Sequence, residues 1–235
     1  MRKQTPPRAQ DREAGTRGRL IEAGLDVFGE SGYAAATTRL LAEKAGVNLA
    51  AIPYHFGGKE GLYRGVVAHI TATVGVRLAP VLESVAARSA AGLSALQAAT
   101  LLEELFGGLV DFVVGSAEAP RFSRIILREQ MYPSSAFDTV YEAVMAPIIE
   151  AIVSLLAAVT GNAVSGRTLR LRAVALLGQV FVFRFGRETV VRAVGLSGYS
   201  AEETTEIRGV LLDQLRATLA GLGGAVGNDD KGDRP

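Results

Sequence analysis

The chain has 235 residues, 49% of them hydrophobic, and is nearly neutral, with 25 Lys and Arg against 24 Asp and Glu; that is enough apolar material for a sizeable core and excludes a chain disordered throughout. It has no Cys and two His, which excludes a disulfide framework and thiolate chemistry, and no His or carboxylate cluster has metal-ligand spacing. Charge is uneven: residues 1–19 hold six Lys or Arg against two acids while the rest is slightly acidic, the pattern of a basic end that either meets a polyanion or is simply solvated.

From the N-terminus, residues 1–15 are rich in Pro, Gln and charge without apolar periodicity, which predicts a disordered basic arm. From Arg17 the apolar residues Leu20, Ala23, Val27 and Phe28 recur at three and four, predicting a first helix that Gly29 or Gly32 ends. Thr37 has the chemistry of an N-cap for a second helix, Thr38 to Ala45, closed by Gly46. Asn48 reads as the N-cap of a third helix from Leu49 to about His55, in which Pro53 removes the N–H that would bond back to Leu49. The expectation is a short or distorted helix with a free Leu49 carbonyl and Pro53 turned outward. A fourth helix starts at Lys59, shows Leu62, Val66, Ile70 and Val74 at steady fours, and is expected to break or kink at Pro80.

Further helices are expected near residues 94–114, 119–131, 135–160, 166–195 and 201–222. Ala173 to Phe183 is apolar nearly all round, which predicts burial on more than one side. Ile207, Leu211, Leu215 and Leu219 form a stripe at intervals of four, suited either to a dimer interface or to an intramolecular core. Residues 223–235 are Gly- and Asp-rich and expected to be disordered. The fold class is therefore all-α: an N-terminal three-helix helix-turn-helix domain over residues 16–62, then a larger helical domain over residues 63–222. No uncharged apolar run reaches the roughly 18 residues of a membrane span, Ala143 to Val159 being interrupted by Glu150. The basic N-terminus lacks the apolar stretch of a signal peptide. A soluble, cytoplasmic protein with no membrane partner is the expectation.

The run "LIEAGLDVFGESGYAAATTRLLAEKAGVNLAAIPYHFGGKEGLY" resembles the DNA-binding domain of TetR-family transcriptional regulators. Three features carry the likeness: the "F-x-E-x-G-Y" end of the first helix, "TTRLLAEKAGV" for the second, and an aromatic-His-Phe followed by "GGKEGLY". The stretch "REQMYPSSAFDTVYEAVMAPI" is similar to the ligand-binding part of the CecR-like subgroup. The resemblance implies a homodimer whose third helices enter the major grooves of a palindromic double-stranded DNA operator. It also implies that the C-terminal helices bind a small hydrophobic effector whose arrival releases DNA, which is the behaviour of a repressor, with the fourth helix linking the two parts.

Thr38 and Arg39 lie in the first turn of the second helix, where free N–H groups and the helix dipole attract phosphate; the resemblance gives both a DNA contact, and gives Lys59 and Tyr54 contacts to phosphate. Leu49, Ala50 and Ala51 cannot make bidentate bonds to purines, but a small apolar surface can pack on a thymine methyl, and Pro53 extends it. Asn48 is first a cap, His55 first a packed residue, and each has DNA contact as a second role. Arg17 belongs to the basic segment that can follow the backbone or enter the minor groove. For the effector, polar groups on apolar helical faces are the candidates, because an isolated buried charge is expensive unless it is paired or ligand-bound. Glu129 beside Phe122, Ile125 and Ile126, and Arg184 between Phe181 and Phe185, are expected to pair in the pocket, with Gln179 and His69 as hydrogen-bonding partners of the ligand. The plain alternative for each is a satisfied structural bond or a solvated side chain.

Catalysis finds no support: there is no His and carboxylate cluster, Glu103 and Glu104 point to different sides of a helix, and no phosphate-cradling Gly motif is present. No cofactor or metal is expected. The remaining alternative is a DNA-binding or architectural protein that takes no effector, and the large C-terminal part argues against it.

Overall fold

A computed structural model of the chain describes residues 9–226, with side chains from 13 to 222; among these the secondary structure is helical throughout, with no strand. The described residues fall into two compact units, one within Met1–Thr73 and Pro120–Val140, the other within Val74–Ala119 and Tyr141–Pro235.

The first unit begins with α1, Ala9–Ala35, so residues 9–15, expected in a disordered arm, are helical; residues 1–8 lie outside the described residues. Gly32 interrupts α1 with φ 79° and ψ 167°, backbone angles open to glycine but strained for any other residue, which makes it the stop that the spacing predicts. Helix α2, Thr38–Ala45, has the expected caps: Thr37 Oγ1 accepts from Leu40 N at 3.1 Å, and the Gly46 amide returns to Ala42 O and Glu43 O. Helix α3, Ala51–Phe56, starts two residues later than expected. Asn48 caps a turn instead of the helix, its Oδ1 accepting from Ala50 N at 2.9 Å while its carbonyl accepts from Ala51 N. The shift explains Pro53: it falls in the first turn of α3, where an amide has no intrahelical partner to lose. The helix is short and Pro53 is exposed, as expected. The Leu49 carbonyl, however, is not free, because Ile52 N donates to it at 3.3 Å.

Helix α4, Lys59–Ala90, contributes its first half to this unit and runs on through Pro80 without the expected break. Its start lies so close to α3 that a Cβ on Gly61 would fall 1.8 Å from Phe56 O. Helix α6, Ala119–Met131, enters this unit from Pro120, and α7, Phe137–Val140, follows. Leu20, Leu25, Phe28, Leu41, Ile52, Leu62, Ile70 and Ile125 are fully buried, each stabilising the unit by roughly 1.5–3 kcal/mol relative to exposure.

The second unit holds the rest of α4 and α5, Ala95–Val113, whose Ser94 and Gln97 make a reciprocal capping box. The helix expected over 135–160 is interrupted by a π-helical turn, Tyr141–Met145, before α8, Ala146–Val159. That expected over 166–195 divides at Gly186 into α9, Gly166–Phe185, and α10, Arg187–Val194. Helix α11, Ala201–Val226, extends past the expected end at 222, and residues 227–235 lie outside the described residues. Helices α8, α9 and α11 pack on α5, burying Leu101, Leu105, Phe106, Ile152, Leu156 and Val180. The α11 stripe of Ile207, Leu211, Leu215 and Leu219 is buried within this unit. Of the two roles left open for it, that is the intramolecular core: periodicity marks a buried face but not whose surface covers it. On α9 the outward residues are Leu171, 62% exposed, Val174 and Val182, so the apolar wrap over 173–183 is covered on one side only.

By length and composition two helical segments, Lys59–Ala90 and Phe137–Val159, are apolar enough to cross a membrane. Their apolar residues include Leu62, Val66 and Ile70, and Ile148, Ile152 and Leu155, all of them buried in protein.

Candidate functional site

The turn between α2 and α3 places most of the expected DNA-contacting residues on one stretch. Thr37 takes the Leu40 amide, and the amides of Thr38 and Arg39 belong to the first helical turn, whose N–H groups have no intrahelical acceptors. The Thr38 side chain is half-buried and that of Arg39 is exposed. On α3 and the turn before it, Leu49, Ala50, Pro53 and Tyr54 are exposed while Ile52 is buried, so a largely apolar outward surface is held by one anchored residue. Ala51 is half-buried. His55 is half-buried between two aromatic neighbours, 4.8 Å from the Tyr54 ring and 6.4 Å from that of Phe56. Arg17 lies on exposed α1 with its guanidinium 5.2 Å from the Phe56 centroid, a cation–π contact between α1 and α3.

Two residues depart from the sequence reading. Lys59 Nζ donates to Tyr33 O and Ala36 O at 2.9 Å each and lies 4.4 Å from the Tyr33 centroid. It therefore holds the carbonyls around the end of α1, and a phosphate contact has to compete with those bonds. Tyr54, 72% exposed, donates its hydroxyl to Glu13 Oε1 at 3.0 Å. That bond, and then the carboxylate's charge, raise the Tyr54 pKa above its ordinary value. Glu13 was invisible to sequence reasoning because it lies in the segment taken as a disordered arm.

The four expected effector residues fall in different surroundings. His69 is exposed on α4, its ring edge-on to Phe122 at 6.3 Å. Glu129, 3% exposed, accepts from Tyr63 Oη at 2.5 Å and from Ser134 N and Oγ at 3.0 Å. Burial first, then this bond, raise the Tyr63 pKa well above its ordinary value. Arg184, 9% exposed, donates Nε to Val113 O and Nη2 to Val114 O, both at 2.7 Å, and burial lowers its pKa. Each charge is thus satisfied inside its own unit, which corrects the expected Glu129–Arg184 pair. Spacing identified two polar groups on apolar faces but not their backbone and hydroxyl partners. Gln179 is half-buried, and its Oε1 is buried without a hydrogen-bond partner, so it alone of the four has a buried side-chain atom left unpartnered.

Arginines that sequence reasoning missed tie α6 to α1. Arg121 donates to Asp26 and Glu22, both at 2.8 Å, and Arg128 to Gly29 O and Glu30 O at 3.3 and 2.9 Å. Their alternation with apolar residues at helical spacing was the available signal. Among the described residues no group of three or more His, Asp or Glu is placed to hold a metal.

Comparison with known proteins gives matches over both parts. Residues 20–66 match the family described as bacterial regulatory proteins, tetR family, and residues 98–222 match the C-terminal domain of HTH-type transcriptional dual regulator CecR. Over 205 residues, 86% of this chain and 91% of the relative, the chain is 33% identical to the HTH-type transcriptional dual regulator CecR of Shigella flexneri. A shorter match, 43% identical over 53 residues, covers 23% of this chain and 40% of the uncharacterized HTH-type transcriptional regulator TtgW of Pseudomonas putida. Among solved structures, a TetR-like transcriptional regulator from Rhodococcus sp. RHA1 aligns with a TM-score of 0.58 at 20% identity, covering 92% of this chain and all of that one. The hemolysin II transcriptional regulator HlyIIR gives 0.58 at 17% identity, over 85% of this chain and 98% of its own. At those identities the structural likeness speaks to the fold.

Proposed function

We propose, because the chain belongs to the TetR family of transcriptional regulators with a CecR-type C-terminal domain, that it is a ligand-responsive repressor binding a palindromic operator as a homodimer. The observation that carries the reading is the α2–α3 stretch: a capped first turn at Thr38 and Arg39 for phosphate, beside an outward surface of Leu49, Ala50, Pro53 and Tyr54 for base edges. The surface has no Lys or Arg on α3, so discrimination rests on shape and on thymine methyl contacts more than on bidentate bonds. Dimerisation is supported by the uncovered stripe of Leu171, Val174 and Val182 on α9, spaced to run down one helical face. Effector binding in the larger unit is supported by the unpartnered Gln179 oxygen, and an effector acts by favouring a dimer whose reading helices no longer match two half-sites.

Footprinting on genomic fragments selected by the purified protein tests this reading. Two protected half-sites related by a dyad are expected, with binding weakened about tenfold or more in Arg39→Ala. Protection of a single half-site by a monomer, or no specific site, would overturn it. The relative's description as a dual regulator favours a second reading in which the bound dimer activates some promoters. A reporter carrying the footprinted site upstream or across the promoter separates the two.

A further inference from the structure

The first unit holds a cavity of about 570 Å³ lined by the end of α1, the first turns of α4, and the end of α6 with the loop after it. Its size falls within the roughly 300–1,000 Å³ of small-molecule pockets. Three of its walls are tyrosines: Tyr33, Tyr63 and Tyr132. Tyr33 and Tyr63 lie 5.2 Å apart between centroids, and Phe28 meets Tyr63 edge-on at 5.0 Å, so two of the rings are fixed by packing while Tyr132 is exposed.

The charges around this space are of unequal kinds. Arg64 pairs with Glu60 at 3.1 Å, both on the exposed side, and Arg128 is directed at the Gly29 and Glu30 carbonyls. The one charged lining side chain that is buried is Glu129, and its partners are all neutral: the Tyr63 hydroxyl and the amide and hydroxyl of Ser134. Those donors supply three hydrogens to a group with about four lone-pair positions. A buried carboxylate held by neutral donors alone keeps its negative potential in a low-dielectric surrounding, and tyrosine faces add to the attraction for a cation. One of these rings, that of Tyr33, already takes an ammonium, since Lys59 Nζ lies 4.4 Å from its centroid.

We propose that this cavity is a binding site for a singly charged organic cation, a quaternary ammonium or protonated hydrophobic amine, with Glu129 as counter-ion and Tyr63 and Tyr132 as its aromatic walls. A second positive charge has no counterpart, because Glu60 is paired with Arg64 and the remaining lining charge, Arg128, is itself positive. Binding at the site is independent of the regulatory function proposed above; an effect on DNA rests on it. Such an effect is expected because the lining belongs to α1 and α4, which carry Arg17 and brace α3 through Gly61.

The chain has no Trp, and three of its six Tyr line the cavity, so tyrosine fluorescence together with titration calorimetry on the full-length protein follows binding. The probe is benzyltrimethylammonium, with the isostere carrying carbon in place of nitrogen and with phenylacetate as controls. Saturable binding of the cation is expected, at least about tenfold tighter than either control. Glu129→Gln is expected to weaken it about tenfold and Tyr132→Ala severalfold, with the melting temperature of Tyr132→Ala unchanged because that ring is exposed. Should Glu129→Gln fail to fold, Tyr132→Ala and the two controls decide the matter. No saturable binding of the cation, equal binding of either control, or indifference to the variants overturns the proposal. Cation binding that leaves operator affinity unchanged refutes only the coupling to DNA, whereas loss of all DNA binding by the free protein refutes the regulatory reading and leaves the site standing.

Discussion

Among the described residues the two units bury one charge each, by opposite means. Arg184 in the second unit donates to the carbonyls of Val113 and Val114 at the end of α5, where the helix leaves its carbonyls unpaired and its dipole favours a cation. Glu129 in the first unit is held by a tyrosine hydroxyl and by the loop serine Ser134. Backbone acceptors at a helix end stay where the helix puts them, so Arg184 is a fixed brace. Hydroxyl donors can turn, and Glu129 lines a cavity, so the same kind of buried charge there can answer to a ligand. The comparison separates a charge that maintains the fold from one that can read its surroundings.

Removing the brace should have the largest effect. Arg184→Met leaves two buried carbonyls without donors and is expected to destabilise the second unit by about 2–4 kcal/mol, seen as a lower urea midpoint. Arg184→Lys, with one point donor in place of a fork, should recover part of the loss. A cost below about 0.5 kcal/mol for Arg184→Met would break the contrast, since Arg184 would then be no more than a side chain passing through.

Next in size is the first unit's own pair. Tyr63→Phe removes one donor from Glu129 and is expected to cost about 1–2 kcal/mol, less than the Arg184 change because Ser134 still supplies two bonds. The pair also has a pH signature. The folded-state pKa of Tyr63 lies above its ordinary value of 10.0, so the folded protein holds that proton more tightly than the unfolded chain. The contribution is complete below about pH 10 and is lost as pH rises through the folded-state value. The stability difference between wild type and Tyr63→Phe should therefore be constant from pH 7 to 9 and shrink above 10. A difference that instead changes between pH 5 and 8 would point to another group.

What the sequence made legible divides along the same line. The caps of α2 could be read in advance because Thr37 and Gly46 act on amides and carbonyls within four residues of themselves. The exposure of Pro53 and the stop at Gly32 were equally local. The start of α3 was misplaced because Asn48 has the chemistry of a cap for a turn as well as for a helix, and the choice depends on how Ile52 anchors in the core. The α11 stripe was legible as a buried face but not as an intramolecular one, since periodicity carries no information about the covering surface. Lys59 was read as free for DNA, yet its two carbonyl partners lie 23 and 26 positions away. Glu129 and Arg184 were correctly singled out as polar groups on apolar faces, and wrongly joined. Their true partners are backbone carbonyls for Arg184 and, for Glu129, a tyrosine hydroxyl with the amide and hydroxyl of a loop serine, groups present everywhere in a sequence and marked nowhere.

The smallest expected effect comes from the exposed counterpart of the Tyr63–Glu129 pair. Tyr54 and Glu13 make the same hydroxyl-to-carboxylate bond on the surface proposed to meet DNA. In solvent such a bond adds little to stability, so Glu13→Gln should leave the melting temperature unchanged. At the operator proposed above the balance is expected to differ: the carboxylate would repel nearby phosphates, and it engages the one hydroxyl that α3 offers. Glu13→Gln removes the repulsion and frees Tyr54, and is expected to tighten operator binding about two- to fivefold in low salt. The gain should fade as salt screens the lost charge. The double variant Glu13→Gln with Tyr54→Phe separates the two causes: a gain that survives the loss of the hydroxyl is repulsion relieved, and one that disappears belongs to Tyr54. If Glu13→Gln weakens binding, the carboxylate positions Tyr54 for DNA, and the exposed pair, like the buried one, is part of a reading surface.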